Sequence, residues 1–222
     1  ASAPAKEKSA VTTAAPQGAK KDGSAAGRQG LPRERRLGYM NEYQAAYYFT
    51  LGRLFLQEGK HKLAADAFSK VADLDPGAVD PRLIGARLSI QRGRFKEAIG
   101  LSEEVLEIDA DNLEARDLAA RIFTAQKKYD KAMHYYREIL ERDHAQHNAR
   151  LMLAQILGQQ NQIDEAKEIL VPLLKGENEL VWRAHVVLGR VLLGQKRPEE
   201  ALAGFEAAYE AAPYKPAAVG SW

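Results

Sequence analysis

The chain has 222 residues, 45% hydrophobic and 28% charged, with 32 Lys and Arg against 30 Asp and Glu for a formal charge of +2. That balance is ordinary for a folded protein with a sizeable core, and with no run of 18 apolar residues no membrane-spanning helix is expected. Cysteine is absent, which excludes disulfides, thiolate nucleophiles and sulfur-ligated metals.

The first 38 residues are rich in Ala, Gly, Ser, Thr, Pro and Lys. They hold too little large apolar surface to offset the cost of ordering, so residues 1–38 are expected to form a disordered tether. At about 40 residues such a coil spans on the order of 35 Å. Residues 1–40 carry eight basic and three acidic side chains, whereas residues 41–222 carry 24 basic against 27 acidic. The basic excess is local, and the body, at −3, does not offer the cationic face that polyanions need, so no nucleic-acid partner is expected. The chain opens Ala1-Ser2-Ala3, with neither an initiator Met nor an apolar leader core, and is read as a mature, processed or truncated product.

From Gly38 the character changes. Tyr39, Tyr43, Tyr47 and Leu51 fall four apart and line one face of a first helix that is longer than its counterparts. Helix pairs are then expected at 42–58 with 62–74, 80–92 with 95–108, 113–126 with 129–142, 147–160 with 163–175, and 179–194 with 198–211. Asp80-Pro81 reads as an N-cap followed by a first-turn proline, and Pro198 opens the last helix. Pro172 falls inside the second helix of the fourth pair, where a missing backbone donor should kink or shorten it and change the superhelical angle.

These pairs repeat in phase. Ala64, Ala98, Ala132, Ala166 and Ala201 recur 34, 34, 34 and 35 residues apart, and Gly52, Ala86, Ala120, Ala154 and Gly189 each stand twelve residues before one of them. Small residues at a fixed register are needed where two helix backbones approach closely. The first repeat adds Tyr48, Leu51, Gly52 and Phe55 on one helix, Ala64 and Phe68 on the next, and Pro76 after it. The pattern resembles the tetratricopeptide repeat. The resemblance implies an all-α, right-handed superhelical solenoid of about five helix-turn-helix repeats, at 45–78, 79–112, 113–146, 147–181 and 182–215. Residues 216–222 then read as the start of a truncated sixth, with Val219 and Trp222 at apolar positions. Pentatricopeptide arrays share the plan at a similar length but bind RNA, and the acidic body argues against them.

In tetratricopeptide arrays the first helix of every pair lines the concave face, so equivalent positions form ladders down one groove. One ladder is Arg53, Arg87, Arg121, Gln155 and Arg190. Another, a turn earlier, is Phe49, Leu83, Asp117, Leu151 and Val186. A third is Leu56, Ile90, Thr124, Gly158 and Leu193, with Gln57, Gln91 and Gln159 beside it. Guanidinium forks between aliphatic and amide rows suit a peptide or helix that offers acidic and apolar side chains. The expected groove residues are Arg53, Arg87, Arg121, Arg190, Phe49, Leu83, Leu56, Ile90, Gln57 and Gln91. The competing reading is that the arginines pair with Asp and Glu of neighbouring helices, Asp117 among them, and keep the groove soluble.

Arg82, Arg116 and Arg150 form a further ladder where the family usually has a large aromatic, and are expected to pack through their stems while the charge reaches water. The clamp by which some members hold the carboxylate tail of heat-shock chaperones is absent, since its positions are Phe49, Arg53, Ile84, Glu114 and Leu118. Of the five histidines only His144 and His147 are close in sequence, and with no third ligand neither a metal site nor a cofactor is expected. Glu103-Glu104 and Glu199-Glu200 read as solvated surface. No glycine-rich phosphate loop, HExxH or nucleophile elbow appears, so the chain is read as a scaffold or assembly adaptor rather than an enzyme.

Other readings stay open. The Ala/Pro/Gly/Lys leader is similar to the spacer that follows the lipidated cysteine of bacterial lipoproteins, which implies a cell-envelope location, periplasmic side, and membrane tethering through an N-terminal lipid anchor absent here. A plain disordered arm or cloning remnant, with a cytoplasmic location, is the alternative. A self-associating structural lipoprotein that pairs through uncapped ends, and a regulatory arm of a larger enzyme, are the remaining candidates.

Overall fold

The computed structural model describes residues 33–175 and 180–212. The first 32 residues of the expected tether, Pro213 and the expected sixth repeat at 216–222 lie outside the described residues. Among the described residues ten helices follow one another: α1 (Arg33–Gln57), α2 (His61–Leu74), α3 (Val79–Gln91), α4 (Phe95–Ile108), α5 (Leu113–Ala125), α6 (Tyr129–Arg142), α7 (His147–Gln159), α8 (Ile163–Leu174), α9 (Val181–Gly194) and α10 (Pro198–Ala211). Among the described residues there is no strand, and no helix is long and apolar enough to cross a membrane.

Two expectations need correction at the helix starts. Residues 33–38, assigned by composition to the tether, belong to α1. The run Arg33-Glu34-Arg35-Arg36-Leu37 consists of strong helix formers, and local propensity outweighs the low apolar content there. Asp80 is not a cap: α3 starts at Val79 with Ala78 as its N-cap, which leaves Asp80 in the first turn near the positive end of the helix. By contrast Asn112 does cap α5, its side-chain oxygen accepting from the Ala115 N–H at 2.9 Å.

The chain divides into two units, 1–43 and 44–222. In the first, the described residues 33–43 are helical, and Tyr39, Met40 and Tyr43 are exposed. The second unit is the solenoid. Each first helix ends on the same backbone device. Gly59, Gly93, Lys127, Asn161 and Lys196 all take positive φ, between 57 and 69°, at one register of the period. The next N–H then reaches back to a helical carbonyl: Lys60 to Phe55 at 2.8 Å, Arg94 to Ser89 at 2.8 Å, Lys128 to Phe123 at 2.9 Å, Gln162 to Leu157 at 2.9 Å and Arg197 to Leu192 at 3.1 Å. This left-handed stop satisfies orphan carbonyls and turns the chain into the second helix.

The period-marking alanines and Ala86, Ala120 and Ala154 are buried where helices meet. A Cβ at Gly52 would stand 2.9 Å from the Phe68 ring, and one at Gly189 would stand 2.8 Å from Phe205, so glycine is required under each ring. The core runs as three clusters of buried residues: Ala64, Phe68 and Leu88 near the start, a second from Leu83 to Ile122, and the largest from Ala119 to Val191.

The Arg82, Arg116 and Arg150 heads are held by protein acceptors rather than extended into water as expected, and all three residues are buried. Arg82 donates through Nε to Glu104 at 3.0 Å and through Nη1 to the Ala78 carbonyl at 2.6 Å. Arg116 repeats the arrangement, with Nε donating to Glu138 at 3.3 Å and Nη2 to the Ala110 carbonyl at 2.5 Å. Each guanidinium thus ties the loop before its helix to the second helix of its repeat. Glu104 is therefore an ion-pair partner rather than plain surface.

Pro172 occupies, in the fourth repeat, the register that Glu104 and Glu138 hold in the second and third. Arg150 consequently has no carboxylate and donates instead to the carbonyls of Ile169, at 3.2 Å, and His144, at 2.9 Å. Its Nε is buried without a partner, and burial pushes its pKa down. Helix α8 continues through Pro172 but stops at Leu174, giving 12 residues where α2, α4, α6 and α10 have 14.

Candidate peptide-binding wall

Helices α1, α3, α5, α7 and α9 carry the ladders expected to face a partner. Arg53, Arg87, Arg121 and Arg190 are all exposed on them. Their electrostatic situations differ. Arg87 donates to Glu114 on α5, across the repeat boundary. Arg121 pairs with Asp117 one turn earlier on its own helix at 3.6 Å. Arg53 and Arg190 have no ion pair among the described residues. The ladder is therefore half neutralised from within, and its two outer members retain free charge.

Asp117 shows what neutralisation costs. Burial raises its pKa, Arg121 pulls it back down, and Glu114 raises it again. Beneath it the Tyr136 hydroxyl is driven up to about 12, first by burial and then by the Asp117 charge. The wall is thus partly desolvated at its centre, where acidic and basic groups already meet.

The apolar members are also unequal. Phe49 is half-buried, set edge-on against Phe68 with ring centroids 5.6 Å apart. It lines a hollow of about 510 Å³ with Ala45, Ala46, Thr50, Val71 and Asp80. Leu56 and Ile90 are half-buried against the first two core clusters, and Gln57 and Gln91 are exposed at the ends of their helices. Leu83 is the exception: at 5% exposure it belongs to the core and offers a partner almost nothing. Its register matches Phe49, but a leucine is too short to pack inward and still reach the surface.

A second hollow, of about 200 Å³, lies between α7 and α9 and is lined by Gln155, Gly158, Gln159, Arg190, Val191 and Gly194. It exists because Gly158 and Gly194 lack side chains. Gly158 packs so closely on Val191 that a Cβ there would overlap the valine methyl group. Sequence reasoning placed Gly158 and Arg190 on separate ladders; only the fold brings them to one depression. It also missed the polar row of Asp80, Glu114 and Asn148, two turns before Arg87, Arg121 and Gln155 on their helices. Asn148 accepts from Arg183 at 3.3 Å.

Two tetratricopeptide-repeat family models match residues 55–122 and 151–216. The model of anaphase-promoting complex, cyclosome, subunit 3 matches residues 91–172, overlapping both. The chain belongs to the tetratricopeptide-repeat family. Solved structures agree on the fold. The crystal structure of MamA protein is 18% identical with a TM-score of 0.70, over 81% of this chain and 97% of that one. MamA from Desulfovibrio magneticus RS-1, residues 41 to the end, is 16% identical with a TM-score of 0.68, over 76% and 94%. YrrB, described as a TPR protein with an unusual peptide-binding site, is 17% identical with a TM-score of 0.62, over 75% and 85%. No curated protein matches the sequence. A tetratricopeptide-repeat solenoid is in general a protein-interaction scaffold, and its partners are proteins.

Proposed function

We propose that the chain is an assembly adaptor whose wall of first helices holds a peptide or helix bearing acidic and apolar side chains. The observation that carries this reading is the pair of free guanidiniums, Arg53 and Arg190, at one register of the first and fifth repeats. Carboxylates of the partner meet these two, with Gln155 and Gln159 available beside Arg190. Apolar side chains of the partner rest on Phe49, Leu56 and Ile90. Arg87 and Arg121 are already engaged by Glu114 and Asp117, so they contribute by exchanging partners and gain less. The description of YrrB as a peptide-binding repeat protein is consistent with this use of the fold.

The test is affinity capture with the whole 222-residue chain as bait. Joint replacement Arg53→Glu and Arg190→Glu should reduce retention of the partner about tenfold or more, the effect of losing charge-assisted bonds and adding repulsion. Joint reversal at Arg87 and Arg121 should weaken capture by less than this while helicity is kept. Reversal of an exposed charge on a second helix, Lys62→Glu, should change nothing. Undiminished capture by both arginine variants would rule this wall out.

A further inference from the structure

We propose that the edge of the solenoid formed by the turns inside the first three repeats is a seat for an anionic lipid surface. In a stack of helix hairpins the turns within repeats collect at one edge and the loops between repeats at the other. The two edges differ in sign. The equivalent stretches 58–65, 92–99 and 126–133, at the turns within repeats, hold eight Lys and Arg against three Asp and Glu. The stretches 73–80, 107–114 and 141–148, at the loops between repeats, hold nine Asp and Glu against one Arg. The charge of −3 over residues 41–222 therefore conceals a cationic edge beside a more strongly anionic one.

Most of the cations on this edge are unpaired. Lys60 is held by Glu58 at 2.7 Å and Arg94 by Glu97 at 3.4 Å. Lys62, Arg92, Lys96, Lys127, Lys128 and Lys131 have no ion pair among the described residues, and all but the half-buried Arg92 are exposed. Lys127, at positive φ, sits on the corner itself. With Lys128, Tyr129, Asp130, Lys131 and Gln160 it lines an open hollow of about 340 Å³, which has room for a phosphate-bearing headgroup. Apolar surface is interleaved with the charge: Leu63 is 44% exposed, and Phe95 and Tyr129 are half-buried where their helices begin.

The chemistry favours a membrane over an acidic protein. Five of the six unpaired cations are lysines, point charges on flexible stems, set along protruding turns rather than around a groove. They suit mobile headgroups better than carboxylates at fixed positions, while the apolar and aromatic side chains between them rest at headgroup level. The seat ends after the third repeat, because the next turn, Gln160-Asn161-Gln162, is uncharged.

Vesicle flotation with the whole chain tests this, using phosphatidylcholine mixed two to one with phosphatidylglycerol against phosphatidylcholine alone. The wild type should float with the anionic vesicles only, and less as salt is added. Joint Lys96→Glu and Lys128→Glu should weaken binding about tenfold or more, since each cation near a charged bilayer contributes and each reversal repels. Both positions lie where second helices open and a carboxylate is favourable, so the fold should be kept, as circular dichroism checks. Should it not be, Lys96→Gln with Lys128→Gln serves in its place, with a smaller loss. Equal reversal towards the other edge, Lys70→Glu with Lys175→Glu, should weaken binding about twofold at most. As the chain lacks cysteine, an environment-sensitive dye on Gln160→Cys should brighten on binding, while one on Asp109→Cys should not. A wild type that does not float with anionic vesicles overturns the proposal. An edge variant that floats as well as wild type overturns it too, and assigns the binding to the basic segment 1–40. Retention by polyglutamate or single-stranded DNA without flotation also overturns it.

Discussion

Asp117 is a single carboxyl caught between burial and a guanidinium, and its raised pKa has a defined sign. A carboxyl with a folded pKa above its unfolded value stabilises the protein most while protonated, and that contribution is lost as pH rises through the folded value. Asp117→Asn should therefore raise the melting temperature at neutral pH, and the gain should vanish under acid conditions where both side chains are neutral. Thermal melts followed by circular dichroism check this; a neutral-pH loss would show that the Arg121 pair outweighs desolvation. The Arg82, Arg116 and Arg150 recurrence was visible in the sequence, but the fate of the heads was not. Their partners Glu104 and Glu138 lie 22 residues further on, on a different helix, and only folded coordinates separate Glu104 from its neighbour Glu103. The pairing of Arg87 with Glu114 was hidden for the same reason.

At the level of the helix, most boundaries were legible because small residues, turn residues and apolar spacing all recur on one period. The failures are local. Composition misassigned residues 33–38 because it averages over a segment in which a short run of helix formers decides the matter. Asp80 resembled a cap because Asp-Pro pairs often are, but helices start from backbone geometry, and that geometry was available two residues earlier, at Ala78. Pro172 was readable as a disturbance, though not its link to Arg150. That link yields a prediction: Pro172→Glu restores a backbone donor and places a carboxylate at the register used by Glu104 and Glu138. It should stabilise the protein by on the order of 1 to 3 kcal/mol, seen as a higher urea midpoint at unchanged slope. A lower midpoint would mean that the shortened α8 is required by the seam with α9.

Across the whole solenoid, stability follows the core, and the core is uneven. Three buried residues anchor the first cluster, whereas the largest runs from Ala119 to Val191 across five helices. In a linear array each repeat is stabilised by its neighbours alone, so protection should track this distribution. Native-state hydrogen exchange should be slowest in α5 to α9 and fastest in α1 to α3. Equal protection throughout would show one cooperative unit instead. The candidate wall spans both regions, with Arg53 on the thin side and Arg190 on the thick one, so a partner bound to both would stiffen the front of the array most.

The left-handed turns carry one more consequence. Because these turns stop their helices through backbone hydrogen bonds, the side chains of Lys127, Asn161 and Lys196 are released from architectural duty. Such corners are places where the polypeptide tolerates novelty: a dye or an epitope grafted at Lys127 or Lys128 leaves the seams on either side undisturbed.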